Sequence, residues 1–181
     1  MSDHRRSLVA GAVALAVALA AQPDVADAQL SLEGRIGSGI PTGEVTDAPF
    51  RQTGGLAFAA EAMWNLSPRM TFYGGVSRQS FNCDGCFSDL SSTGFQSGLK
   101  FLLSRDGQAL PWVRGGLLLH DAEMAGDDSG WGLGFDSGVG VDWRVSPRFD
   151  VVPALRYAQY TTDDLTLGFL TIDLGLHVHV H

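Results

Sequence analysis

Several things are scarce in this sequence, and each scarcity excludes something. Two of its 181 residues are cysteine, too few for a disulfide framework, and a chain of this length buries enough surface to fold without one. Lysine and arginine number 12 against 20 aspartates and glutamates, a formal net charge of −8. A nucleic-acid partner wants a basic face, so that class is set aside. No run of about 18 or more apolar residues occurs, so no helix suited to spanning a membrane is expected. The 3.6-residue period of amphipathic helices is almost missing too. By composition alone the chain reads as water-soluble, acidic and rich in glycine, with 23 glycines.

What is present begins with an address. His4, Arg5 and Arg6 are followed by an apolar stretch from Leu8 to Ala21 and then by Ala26-Asp27-Ala28. A basic start, a short apolar run and a small-x-small site predict a secretory signal peptide over 1–28. The apolar run is 14 residues, short of the roughly 20 a spanning helix needs. The residue directly after the cleavage point is Gln29, not cysteine, which speaks against a lipid anchor. The mature part, 29–181, then holds 17 acids and 10 bases.

That mature part repeats with period two, the signature of strands with two unlike faces. In Trp131–Val145 the odd positions carry Trp131, Leu133, Phe135, Val139, Val141, Trp143 and Val145, while the even ones are glycine, Asp136, Asp142 and Arg144. The same pattern predicts eight strands, roughly Leu30–Ile40, Gly55–Leu66, Met70–Phe81, Ser91–Leu103, Ala109–His120, Trp131–Val145, Phe149–Tyr160 and Leu167–Val180. Most are far longer than the usual five or six residues and suit the roughly 9–11 residues of a tilted membrane-spanning strand. Connections alternate. Ser67-Pro68-Arg69, 104–108 and Ser146-Pro147-Arg148 are tight, with Pro or Asp-Gly turn chemistry. The segments 41–54, 82–90, 121–130 and 161–166 are longer and polar. All long loops therefore fall at one end and all short turns at the other, the arrangement of outer-membrane barrels. Trp64-Asn-Leu-Ser-Pro-Arg69-Met echoes Trp143-Arg-Val-Ser-Pro-Arg148-Phe, which reads as one turn solution used twice.

Charge decides which face is inside. The polar faces collect Glu33, Arg35, Glu61, Lys100, Arg114, Asp136, Asp142, Arg144, Asp150, Arg156 and Asp173, a nearly neutral set. A narrow closed lumen needs such balance, because unpaired buried charge is costly. The apolar face carries Trp64, Phe72, Trp131, Trp143 and Phe149 towards strand ends, as lipid-facing aromatic girdles do. A one-residue slip of Trp131–Val145 would aim Asp136, Asp142 and Arg144 at lipid, and an arginine at the midplane alone costs about 2–4 kcal/mol. With eight strands the interior is filled by side chains, so an ion-paired plug is expected rather than a pore. Two residues resist this pattern. Arg78 falls on the apolar parity, which calls for a site above the bilayer or a bulge at Gly74-Gly75. Pro153 sits mid-strand and predicts a local bulge.

These features together resemble the small eight-stranded outer-membrane β-barrels of Gram-negative-type bacteria, the OmpA transmembrane-domain and OmpX-like group. The likeness covers the whole mature chain and rests on leader, strand count, loop alternation and lumen charge. It implies an all-β, closed, antiparallel up-and-down transmembrane barrel, monomeric, in contact with outer-membrane lipids and lipopolysaccharide and inserted by the outer-membrane assembly machinery. Members of the group use an amphipathic last strand ending in an aromatic residue. Here Ile172, Leu174, Leu176, Val178 and Val180 supply the alternation, and the chain ends in His181.

Few residues suggest chemistry beyond this, and no cofactor is implied. Cys83-Asp-Gly-Cys86 lacks the partner pair of a zinc site and in an exported chain predicts a local disulfide. His177, His179 and His181 alternate on one face and are weak candidates for a shared transition metal. Acids crowd the long loops (Glu44, Asp47, Asp84, Asp89, Asp121, Glu123, Asp127, Asp128, Asp163 and Asp164), which predicts a solvated anionic surface. His120 with Asp121, and Ser80 as a neighbour, is the pattern that would favour a lipid A-modifying enzyme. A third reading is a soluble periplasmic barrel carrying an apolar ligand. The expected role is structural or interactive: envelope integrity, surface contact or adhesion through the acidic loops.

Overall fold

The computed structural model describes residues 30–42, 51–52, 54–84, 90–124, 127–162 and 166–180. The leader segment 1–28, His181 and Cys86 lie outside the described residues, and of Cys83 only the backbone is described. Among the described residues there are ten strands: β1 Leu30–Pro41, β2 Arg51–Gln52, β3 Gly55–Ser67, β4 Met70–Phe81, β5 Cys83–Asp84, β6 Leu90–Leu102, β7 Ala109–Met124, β8 Asp127–Arg144, β9 Phe149–Thr161 and β10 Thr166–His179. Eight close into one antiparallel barrel in the order β1-β10-β9-β8-β7-β6-β4-β3, and β2 pairs with β5 in a separate two-stranded sheet. Each barrel strand neighbours the next in sequence, and β1 and β10 close the ring from Ser31↔His179 to Pro41↔Phe169. No sheet edge is left open within the barrel.

The tight turns follow from their serines. Ser67 Oγ accepts from the Met70 and Arg69 amides at 3.1 and 3.4 Å, and Ser146 Oγ accepts from Phe149 and Arg148 at 3.1 and 3.2 Å. The repeated Ser-Pro-Arg is thus one side-chain-capped turn used twice. In the third turn Gly107 takes φ +101°, the left-handed region that glycine enters without penalty. At the other end β7 and β8 run further than the hydrophobic pattern indicates. The segment expected as a loop over 121–130 is mostly hairpin, with a register shift between Asp121 and Glu123. Paired backbone bonds carry these strands past the apolar alternation that revealed them.

The alternation sorts the side chains. Twenty-seven large apolar side chains are exposed among the described residues, most of them at outward strand positions. A water-soluble monomer rarely shows more than a few hundred Å² of contiguous apolar surface, so this band belongs in lipid. Trp143 and Phe149 mark its turn end on one side, and the ring pair Trp64–Phe72, 6.0 Å between centroids, marks it on β3 and β4. Trp131 stacks on Phe95 at 6.1 Å towards the loop end. Arg78 is exposed on the outward face, opposite Thr93 of β6, which is itself opposite Asp121 of β7. Pairing through Gly74 and Gly75 is regular on both sides, so the bulge alternative does not hold and Arg78 sits at the loop-side rim.

Pro153 brings another correction. The β8–β9 register is the same before and after it, Gly140↔Ala154 and Trp143↔Val151, with pairing interrupted between these positions. On the β10 side Pro153 pairs regularly with Leu174. The missing N–H therefore opens a gap in one ladder and adds no residue to the strand.

Candidate functional site

The lumen is the place where polar chemistry gathers, and it is layered along the barrel axis. Nearest the long loops lies an apolar cluster of Phe81, Leu118, Ala158, Tyr160, Leu167 and Phe169. Phe81 and Phe169 are 5.6 Å apart, ring centroid to centroid. Inward-facing apolar residues here are hidden in the sequence because the β4, β7, β9 and β10 alternation weakens towards the loops.

Beside this layer His120 is fully buried, at 0% exposure. Its Nε2 pairs with Ser77 Oγ and its Nδ1 with Ser92 Oγ, both at 2.8 Å, and its ring lies 5.3 Å from Tyr160. The group imagined around an exposed rim histidine is not assembled. Asp121 follows His120 on the strand and so takes the opposite face. The Ser80 hydroxyl donates to the Leu56 carbonyl at 3.5 Å. Spacing alone could not name Ser77 and Ser92, because they come from β4 and β6.

The middle of the barrel holds a connected chain of charges. Asp142 accepts from Lys100 at 2.7 Å, Lys100 lies 3.9 Å from Glu33, and Glu33 lies 3.4 Å from Arg35. Arg35 also binds Glu61. Arg114 donates to both Glu61 oxygens at 3.0 and 2.8 Å and to Asp136 at 3.2 Å. Five strands, β1, β3, β6, β7 and β8, are tied together this way. A separate pair joins Arg156 to Asp173 at 2.9 and 2.7 Å. Neutral groups complete the layer. Gln96 donates to Glu61 at 2.6 Å, Tyr73 donates to Asp136 at 2.9 Å, and the Arg114 guanidinium lies 3.6 Å over the Tyr73 ring.

Tyr73 fits because two glycines face it. A Cβ at Gly98 or Gly116 would overlap its hydroxyl. Gly140 does the same for Trp112, whose ring lies under Lys100 at 4.8 Å. Between the apolar and charged layers lies a void of about 20 Å³ lined by Ser77, Gln79, Gln96, Leu118, Asp136 and Arg156, room for about one water.

At the turn-side mouth Asp150 accepts from His179 at 2.8 Å and lies 3.6 Å from His177. Arg144 requires a correction. It has the inward parity and pairs in register with Asp150, yet its side chain is exposed. It is the last residue of β8, so its long side chain leaves the lumen at the mouth instead of joining the buried chain. The other ten charged residues expected inside are at those inward positions: nine are buried and Arg156 is partly so.

No family model matches this chain, and no curated protein sequence matches it. Solved structures do. Neisserial surface protein A superposes with TM-score 0.71 at 14% identity, over 83% of this chain and 97% of that one. OprG from Pseudomonas aeruginosa gives 0.58 at 9% identity, over 84% and 97%. Ail, the attachment invasion locus protein of Yersinia pestis, gives 0.53 at 12% identity, over 84% and 99%. The fold shared at these identities is that of the small outer-membrane β-barrels.

Proposed function

We propose, taking an outer-membrane barrel as the premise, that this protein is a plugged structural and contact protein, whose ion-paired lumen serves rigidity and whose acidic loops meet the cell's surroundings. The observation that carries this reading is the Asp142–Lys100–Glu33–Arg35–Glu61–Arg114–Asp136 chain, buried throughout. A conduction pathway needs water and weak sites along its length, whereas these charges bind one another. The apolar exterior speaks against a soluble periplasmic carrier, which would keep that face inside. His120 is fully buried between Ser77, Ser92 and the Tyr160 ring, which speaks against lipid A chemistry, since an acyl chain would have to reach it.

Loop-mediated contact is tested on whole cells. Cells carrying the protein should differ from deletion cells in adhesion or in resistance to detergent. Replacing Glu123, Asp127 and Asp128 with their amides should reduce the adhesion difference and leave the heat-dependent gel mobility of the folded barrel unchanged. No difference between expressing and deletion cells in either assay would remove the proposal. A change in lipid A acyl chains on expression, abolished by His120→Ala, would replace it with the enzyme reading.

A further inference from the structure

Among the described residues, buried charge in the lumen does not balance, and the imbalance has an address. Six carboxylates (Glu33, Glu61, Asp136, Asp142, Asp150 and Asp173) share the interior with four fixed cations, Arg35, Lys100, Arg114 and Arg156. Asp150 is the one whose ion-pair partners among the described residues are histidines alone. It is 2% exposed, and its Oδ1 has no hydrogen-bond partner. Neither ring nitrogen of His177 has a hydrogen-bond partner either, although that residue is 7% exposed. Orphaned buried groups of this kind need an explanation. A plain His–Asp hydrogen bond accounts for His179 and leaves His177 unexplained.

We infer that Asp150, His177 and His179 form a binding site for one divalent transition-metal ion of the zinc class at the turn-side mouth of the barrel. One oxygen of Asp150 and one nitrogen from each histidine lie within 4.8 Å of one another. Tetrahedral ligands about 2.1 Å from a zinc ion stand roughly 3.4 Å apart. The Asp150–His177 separation of 3.6 Å already suits that geometry, and the 2.8 Å of the Asp150–His179 pair needs a small opening. The backbone sets the arrangement. His177 and His179 are two apart on β10 and so share a face, and His177 pairs in register with Asp150 on β9. Their rings lie 4.5 Å apart at 37°, which leaves their edges free for a common ion.

Two imidazoles and one carboxylate favour zinc, nickel or copper over the oxygen-seeking magnesium and calcium. A divalent ion also supplies the two positive charges the lumen lacks. Glu33 lies opposite His177 in register on β1, and its Oε2 has no hydrogen-bond partner. The His179 side chain is 24% exposed, which gives an ion a way in. Binding would clamp the start of β9 to the end of β10, the strand that closes the barrel.

The test uses the full-length protein without an affinity tag, in detergent, stripped with a chelator and titrated with zinc against a chromogenic competitor. One zinc per chain is expected. His177→Gln and His179→Gln should each weaken binding at least about tenfold, and Asp150→Asn should weaken it as well. His181→Gln should change it by less than about threefold. Heat-dependent gel mobility reports which variants are folded. If His177→Gln does not fold, the partly exposed His179→Gln still decides. Failure to hold zinc against the competitor, wild-type affinity in the His179 variant, or loss through His181→Gln alone would overturn the proposal. So would displacement of zinc by an equal concentration of magnesium, since an anionic patch would not discriminate.

Discussion

Glu61 is the residue on which most of the lumen converges. Its two oxygens receive Arg35, both Arg114 contacts and Gln96, and its side chain is 0% exposed. Removing one partner of a buried pair strands the other, at about 3–5 kcal/mol. Glu61→Ala should therefore lower unfolding stability in detergent by that amount, read from denaturant titration. Adding Arg35→Met to a Glu61→Leu variant should recover part of the loss, because Arg114 then keeps Asp136 and Glu33 keeps Lys100. Gly116 gives a steric counterpart. A methyl there would overlap the Tyr73 hydroxyl and the Ser97 carbonyl, so Gly116→Ala should cost about 1–3 kcal/mol by overpacking, measured the same way. The inward position of Glu61 could be read from alternation. Its partners could not, since they lie 26, 35 and 53 residues away.

Strands carry information of another kind. Outward positions bear apolar or small side chains through the middle of the barrel, and the charged ones, Arg78, Asp121 and Glu123, all lie near the loops. Leu155, exposed in the middle of β9, should not tolerate charge. Leu155→Arg should destabilise the barrel in lipid by about 2–4 kcal/mol, whereas Arg78→Leu at the rim should stay within about 1 kcal/mol. The β8–β9 ladder is interrupted beside Pro153, and Pro153→Val restores an N–H there. That change should raise stability by about 1 kcal/mol, with slower amide exchange at 153 as its local sign. A bulge was the natural expectation from the proline. It failed because neighbouring strands hold the register on both sides of a single missing donor, so the chain had no need for an extra residue.

At the scale of the molecule, layering replaces the uniform lumen that alternation suggests. Apolar packing near the loops, ion pairs in the middle and an aspartate–histidine mouth occlude the axis at three heights. Purified protein in planar bilayers should show no large, stable conductance, and a sustained channel of nanosiemens size would contradict a filled interior. The cross-strand chain should also make unfolding cooperative, with one gel transition on heating, because its ties join five strands.

The sequence by itself determined the barrel. Period two, strands of membrane length and alternating loop sizes leave one economical closure, and the midplane penalty on charge leaves one choice of inside. These are local signals, since each strand declares its own faces. Only tertiary structure decided the partners within the lumen, the depth of each layer, the exit of Arg144 to the mouth and the burial of His120. Those outcomes depend on how far each strand is shifted past its neighbours around a closed ring. A shift by two residues preserves every face and changes every contact, so alternation cannot encode it.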